Sequence, residues 1–501
     1  MSAIVSHPVV RTRSGVVRGA LSAGVNAFKG VPYAAPPFGA NRLRPPQPVT
    51  PWSGVRDALA FSPAPPQPQM PPEIAALMPL GPTILGDDCL TLNIWTPDLG
   101  ATGCPVMVWI AGGMFEYAGT GSSPWWDGAR FARDGVVCVT INYRVGADGF
   151  LSLGADGANR GLLDQIAALE WVRDTIAAFG GNPDNVTIFG ESAGGMSVAD
   201  LLTMPCAEGL FRRAIIESGS AHHVTTAATA QRVCQYFAER LGVAPTREAI
   251  AAVPLDRLLA AQVELKTELS ERPDPQRWGE VAATMLPFEP VIDGETLPAR
   301  PIDRLAAGAS AGVDLLIGTN VDEHRLFLGP SGVIERTTEE TLAGLVTGYG
   351  LPVEAALATY RAAHPGASVG DLFAAILGDW YWRIPSVRTA DAHANHSLAT
   401  WMYEFAWRSP QFGGLLGACH ALEIPFVFDT FGPTTEPLLG PTPPQSLADR
   451  MHTAWVAFAT TGDPGWPRYE AMRRATMRFD TRSEVVDDPL ASERALWEGR
   501  R

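Results

Sequence analysis

Asn185-Val186-Thr187-Ile188-Phe189-Gly190-Glu191-Ser192-Ala193-Gly194-Gly195 decides how the rest of the chain is read. A β-branched and aromatic run stops at Gly190, and a run of small residues, 193–199, opens at once. The pattern predicts a strand, a very tight turn and a helix. Gly190-x-Ser192-x-Gly194 is the spacing of a nucleophile elbow, in which the glycines remove side chains that would collide with neighbouring backbone and the serine stands exposed at the turn. The Ala193 amide, at the helix start, then points to where the serine hydroxyl projects and can help hold an oxyanion.

Working outward, short runs apolar on both faces recur at 106–110, 136–142, 186–189, 214–216, 315–317 and 401–405, as buried and mostly parallel strands require. Leu162, Ile166, Leu169, Val172, Ile176 and Phe179 recur every three or four residues and place a helix before the elbow strand, with Gly180-Gly181 as its stop. Leu447, Met451, Ala454, Trp455 and Phe458 give another amphipathic helix, ended by Thr461-Gly462-Asp463-Pro464. The alternation predicts an α/β fold with a large, mostly parallel sheet and helices on both faces. Strand runs give way to helical patterns at 221–298 and 337–394, expected as insertions over the C-terminal edge of the sheet. No composition break demands a split, so 1–501 is expected as one domain. The segment 62–82 holds eight prolines and is expected as a surface loop, with a place at the site entrance as the alternative.

The formal charge of −15 argues against nucleic acid and anionic membrane surfaces as partners. Six scattered cysteines (Cys89, Cys104, Cys138, Cys206, Cys234, Cys419) lack the short spacing of a metal site. Residues 1–15 have no secretory apolar core and no apolar span of about 20 residues follows, so a reducing, cytoplasmic setting is expected. Lysine is nearly absent: Lys29 and Lys266 stand among many arginines, a bias suggestive of a GC-rich bacterial genome.

A serine hydroxyl needs a base, and the base an acid that orients it. Among nine histidines, His420 differs from the rest because it ends a glycine-rich loop, 413–420, after the strand-like run 401–405. In the chain order serine, acid, histidine, the acid falls between Ser192 and His420. Asp322 and Glu323 both follow an apolar strand, and spacing does not choose between them. A second source of oxyanion donors is Ala111-Gly112-Gly113-Met114-Phe115, a glycine-rich loop after the strand 106–110.

Several further motifs carry a resemblance that runs nearly end to end: Phe28-Lys29-Gly30-Val31-Pro32-Tyr33-Ala34, Leu43-Arg44-Pro45-Pro46-Gln47-Pro48, Asp88-Cys89-Leu90-Thr91-Leu92-Asn93-Ile94-Trp95, Asn142-Tyr143-Arg144-Val145-Gly146, Gly161-Leu162-Leu163-Asp164-Gln165, and Phe458-Ala459-Thr460-Thr461-Gly462-Asp463-Pro464. With the elbow, these resemble the type B carboxylesterases of the α/β-hydrolase superfamily, a group that includes bacterial p-nitrobenzyl esterases and, more distantly, cholinesterases. The resemblance implies an α/β-hydrolase fold and ester hydrolysis through an acyl-enzyme, with Ser192 as nucleophile, Glu323 as acid and His420 as base. It implies an oxyanion hole of the Gly113, Met114 and Ala193 amides, and supporting roles around the triad for Glu191, Ser218 and Glu423. Arg144 and Asp164 are expected to hold loops together. No cofactor and no metal are implied. The expected partner is a small-molecule ester, without nucleic acid or membrane, for a monomer or small homo-oligomer. An amidase or carbamate hydrolase would use the same triad, and a catalytically silent cholinesterase-like binding protein is the remaining alternative.

The chain departs from the family pattern at three places. Ala111 stands where His or Tyr is usual, and Met114 where Gly or Ala is usual, so the Met114 side chain should crowd the pocket. Cys89 matches a cysteine that is disulfide-bonded in secreted relatives, yet no cysteine precedes it. The choline-binding tryptophan of cholinesterases falls at Pro79, so choline esters are not expected substrates. Trp125, Trp126, Phe288, Phe327, Trp380, Tyr381 and Trp382 are expected to line an apolar gorge as a group, although core packing is the simpler reading of each.

Overall fold

In the computed structural model, residues 7–81, 84–117, 120–154, 157–397 and 399–500 are described. Pro82, the last residue of the proline-rich segment, and residues 1–6 of the N-terminal stretch lie outside them. Eleven strands form one sheet: β1 (Ala20–Ser22), β2 (Val25–Pro32), β3 (Thr91–Thr96), β4 (Cys104–Ile110), β5 (Val137–Ile141), β6 (Gly181–Glu191), β7 (Arg213–Glu217), β8 (Asp314–Asn320), β9 (Thr400–Phe405), β10 (Ala475–Phe479) and β11 (Glu484–Asp487). Their spatial order is β11-β10-β9-β8-β7-β6-β4-β5-β3-β2-β1. From β10 to β5 neighbouring strands are parallel; at either edge the pairing turns antiparallel.

The central strands are buried along nearly their whole length, which is why both of their faces are apolar. Beneath the elbow, Trp109 meets Phe189 and Phe428 edge to face at 4.9 and 5.0 Å, pairs worth about 0.5–1.5 kcal/mol each beyond area burial. Helix α1 (Arg160–Thr175) precedes β6, and a 3₁₀ turn, Ile176–Phe179, ends at Gly180 with φ 87°. The predicted strand 186–189 begins earlier, at Gly181, because backbone pairing with Cys104 continues past a register shift through the polar residues 182–185. The C-terminal amphipathic pattern is the helix Gln445–Thr461, stopped by Gly462 at φ 83°.

Two helix-rich segments interrupt the sheet order. Between β7 and β8 lie helices such as Ala227–Leu241 and Leu255–Glu271, together with a two-residue parallel pairing of Thr225–Thr226 with Val291–Ile292 that the sequence does not signal. Between β8 and β9 run Glu339–Gly348, Val353–Ala363, Val369–Gly378 and Ile384–Ala394. A π-helical turn, Asp379–Arg383, joins the last two. This second group packs a small core of its own, including Leu342, Tyr360, Ile376 and Trp497. Among the described residues no single helix is long and apolar enough to cross a membrane.

All six cysteines are free, and four of them are buried. Arg144 and Asp164 form a buried two-pronged pair at 2.8 and 2.7 Å, and Arg144 Nη1 donates to Arg44 O at 2.6 Å. The pair therefore ties the 44–48 proline segment to α1, as expected of a loop-holding pair.

Candidate active site

The elbow is built by exclusion. Ser192 has φ 57° and ψ −125°, far from ordinary regions for a side chain, between β6 and helix α2 (Ala193–Leu201). A Cβ on Gly190 would stand 2.6 Å from Ile110 O, one on Gly194 only 1.9 Å from it, and one on Gly195 2.7 Å from Glu217 O. Only glycine fits at these three places. Ser192 N donates to Glu217 O at 2.9 Å, which fixes the turn to the next strand.

Ser192, Glu323, His420 and the 112–115 loop all follow the carboxyl ends of parallel strands, where open α/β sheets place their sites. His420 Nδ1 lies 2.6 Å from Glu323 Oε2, with the pair almost wholly buried. Glu323 Oε1 accepts from Ser218 Oγ at 2.6 Å and from Asn320 N at 2.8 Å, so its carboxylate is held by three donors. Asp322, left open as the alternative acid, points elsewhere. It pairs with Arg325 at 3.0 Å and Arg408 at 2.8 Å, and its Oδ2 accepts from Ala418 N at 2.9 Å, pinning the turn before His420.

Glu191 and Glu423 adjoin the same pair. His420 Nε2 is 3.0 Å from Glu191 Oε1. Ser218 Oγ reaches Glu423 Oε1 at 3.5 Å, and Asn320 Nδ2 donates to Glu423 Oε2 at 2.5 Å. Glu217, which accepts from Trp455 Nε1 at 2.8 Å, is a fourth buried carboxyl that the sequence reading missed, although it stands beside Ser218. Burial, then mutual repulsion, drives Glu191 and Glu217 far above the usual carboxylate range and raises Glu423 to about 8.

Aromatic rings enclose the histidine. Trp382 lies over the His420 ring at 4.3 Å and 33°, and Phe327 is 5.4 Å away. Trp382 is carried on the π-helical turn, a local widening of the helix common at functional sites. Its Nε1 donates to His324 Nδ1 at 3.1 Å; burial lowers His324 to about 3, which keeps that ring neutral and able to accept. The other gorge candidates divide: Trp126 lines the chamber, while Trp125 and Phe288 are core residues and Trp380 stacks on Tyr349 at 4.9 Å.

Ser192 and His420 open into an apolar chamber of ≈ 130 Å³ lined by Gly112, Gly113, Met114, Tyr117 and Phe327. Met114, expected to crowd the pocket, is among the residues that line it. Met70, Pro71, Ile74, Met78 and Leu80 complete the wall, so the proline-rich segment expected as a plain surface loop forms one side of the chamber. Its short helix, Pro72–Leu77, turns apolar residues inward, a feature masked by the prolines around it. Met70, Met78, Leu80 and Tyr117 also border a larger outer cavity of ≈ 1150 Å³. The second glycine loop packs directly on the elbow: a Cβ on Gly112 would meet Glu191 O at 2.6 Å and Ser192 Cβ at 2.9 Å. Among the described residues no group of three or more His, Cys, Asp or Glu side chains is arranged to hold a metal ion.

A serine on a strained elbow, with a carboxylate-bound histidine beside it at the carboxyl edge of a mostly parallel sheet, marks the α/β-hydrolase class. The chain belongs to the carboxylesterase family, whose sequence profile matches residues 6–497. It is 38% identical to the para-nitrobenzyl esterase of Bacillus subtilis over 98% of both chains, and 35% identical to the phenmedipham hydrolase of Pseudarthrobacter oxydans over 97% of this chain and 98% of that one. Among solved structures, a carboxylesterase of Geobacillus stearothermophilus superposes with a TM-score of 0.84 at 38% identity, covering 98% of this chain and 99% of the other. The fold is that of an α/β-hydrolase, and the protein is a carboxylic ester hydrolase acting on small-molecule esters.

Proposed function

We propose that the protein hydrolyses carboxylic esters through an acyl-enzyme formed on Ser192. The observation that carries this reading is the 2.6 Å contact between Glu323 and His420, in a chamber shared with the elbow serine. With its Nδ1 proton committed to Glu323, the imidazole presents Nε2 as the acceptor for the Ser192 hydroxyl proton. Ser192 Oγ attacks the ester carbonyl carbon, the carbonyl oxygen takes the electron pair, and the amides of Gly113, Met114 and Ala193 receive it. Collapse of the adduct expels the alcohol, which takes the proton from His420. Water, deprotonated by the same nitrogen, then releases the acid. Glu323 stabilises the imidazolium of both steps. Burial pushes Glu191, 3.0 Å from Nε2, toward its protonated form, so the imidazolium charge is left chiefly to Glu323. Ser218 and Asn320 hold the Glu323 carboxylate in place, and both also donate to Glu423.

The apolar wall favours uncharged acyl groups of limited bulk, with Met114 setting the limit. The helical segments act as insertions that shape the approach: Leu259 and Val263 of the first border the outer cavity, and Trp382 of the second covers the histidine. The whole chain is read as one catalytic unit. The test is hydrolysis of p-nitrophenyl esters from acetate to decanoate by wild type and Ser192→Ala. Turnover should fall by about 10⁶-fold in the variant at unchanged melting temperature. A folded variant that retains turnover would sink the mechanism.

A further inference from the structure

The loop after β4 carries a carboxyl that the chemistry above does not use. Glu116, two residues beyond Met114, is 3% exposed, and its oxygens lie 3.4 and 3.3 Å from Lys266 Nζ. Lys266 also donates to Met285 O at 2.5 Å. In a chain with only two lysines, one reaches the loop that faces the elbow from a partly buried position, its side chain 19% exposed. Burial pushes the Glu116 carboxyl above its usual range and Lys266 draws it back down.

Lys266 belongs to the insertion helix Leu255–Glu271. One turn earlier on the same helix, Gln262 Oε1 accepts from Ala147 N at 2.8 Å, and the adjoining Gly146 N donates to Phe115 O at 2.6 Å. One side of a single helix thus reaches the loop twice, directly through Glu116 and indirectly through residues 146–147. The loop needs such support. Met114 and Phe115 hold φ of 59° and 58°, a left-handed conformation that costs a non-glycine residue about 1 kcal/mol or more.

We propose that the Glu116–Lys266 pair is a positioning device for the reaction, fixing the 112–117 loop so that the Gly113 and Met114 amides face the carbonyl oxygen above Ser192. Neither side chain touches substrate; the pair acts through the loop backbone. The inference rests on the oxyanion reading given above. It links the helical insertion to transition-state stabilisation, because Leu259 and Val263 of the same helix border the outer cavity.

The experiment compares wild type, Lys266→Met, Glu116→Gln, the double variant and Lys266→Arg in the full chain. It reads kcat and KM for p-nitrophenyl butyrate, the inhibition constant of an alkyl trifluoromethyl ketone, which adds to Ser192 as a tetrahedral mimic, and that of butyrate, a ground-state ligand. Lys266→Met should lower kcat by roughly 30- to 10³-fold, up to the loss of one oxyanion donor, and weaken the ketone in parallel. KM and butyrate binding should stay within about threefold. The double variant should recover about tenfold of the loss, since removing both partners leaves no buried unpaired charge. Lys266→Arg should keep most of the turnover. If Lys266→Met does not fold, Glu116→Gln carries the test, with a smaller parallel loss in kcat and ketone affinity. A lowered melting temperature with kcat and ketone affinity both within twofold of wild type would reduce the pair to a structural tie and overturn the proposal. Wild-type activity that survives Ser192→Ala would instead fail the reading beneath it, and the proposal with it.

Discussion

The elbow and the glycine loop that faces it each hold non-glycine backbone at positive φ, Ser192 at 57° in one and Met114 and Phe115 at 59° and 58° in the other, yet they are held by different means. The elbow is locked by contact. Its glycines touch Ile110 O, Glu217 O and one another's backbone so closely that the turn has one shape compatible with the sheet. The loop is locked by reach. Tyr143 donates to Ala111 O at 2.6 Å, Gly146 donates to Phe115 O, and Lys266, 150 residues away, holds Glu116. Steric locking is written into a few consecutive residues and tolerates no addition of volume. Locking by distant hydrogen bonds and charge can be loosened by degrees, and a substrate pocket can be retuned there without unmaking the nucleophile.

The comparison is broken most severely at Glu323, the carboxylate that faces His420. Glu323→Gln keeps the shape but takes away the charge facing His420, and turnover should fall about 10⁴-fold at unchanged melting temperature. Asp322→Asn should leave turnover within about tenfold, because Asp322 serves the turn at Ala418 rather than the imidazole. Steady-state kinetics on both variants decides this, and the opposite ranking would exchange their roles. Next comes Gly194→Ala, whose new Cβ meets Ile110 O at 1.9 Å. A loss of stability of about 4 kcal/mol or more is expected by denaturant titration, and a variant that unfolds like wild type would refute steric locking.

The loop should respond more gently. Met114→Gly removes a left-handed side chain, so stability should change by only about 1 kcal/mol in either direction. The same change opens the chamber wall, and kcat/KM should shift toward bulkier acyl groups in the p-nitrophenyl ester series. An unchanged chain-length profile would remove Met114 as the limit. The smallest effect concerns pH. Glu423 titrates at about 8 in the fold against 4.5 for an ordinary glutamate, so the native state holds more protons than the unfolded chain between those values. Stability then falls as pH rises from about 4.5 through about 8 and levels beyond it. Melting curves across that window should be flatter for Glu423→Gln than for wild type, and equal slopes would place the titration elsewhere.

What could be read in the sequence follows the same division. The strand, turn and helix around Ser192 depend on neighbouring residues, so their pattern was legible, as were the buried parallel strands whose two faces are both apolar. His420 stood out through the glycines before it. Which of Glu323 and Asp322 meets the imidazole was not in the spacing; it depends on which side chain turns toward His420 and Ser218 and which toward Arg325 and Arg408. The lining role of residues 70–80 was hidden because proline signals a loop and says nothing of what the loop covers. β10 and β11 gave no signal, since polar residues interrupt the short apolar run of the first and acidic residues bound the second. The contacts of Lys266 with Glu116, of Glu217 with Trp455 and of the Trp382 ring with His420 join residues far apart in the chain, and no local pattern carries them.

The central claim is a covalent acyl group on Ser192, and the most direct measurement is intact-protein and peptide mass spectrometry after rapid acid quench during turnover of p-nitrophenyl butyrate. The account predicts a transient gain of one butyryl mass on the peptide containing Ser192, formed at the rate of the nitrophenol burst and absent from Ser192→Ala. A burst without that adduct, or an adduct on another residue, would contradict it.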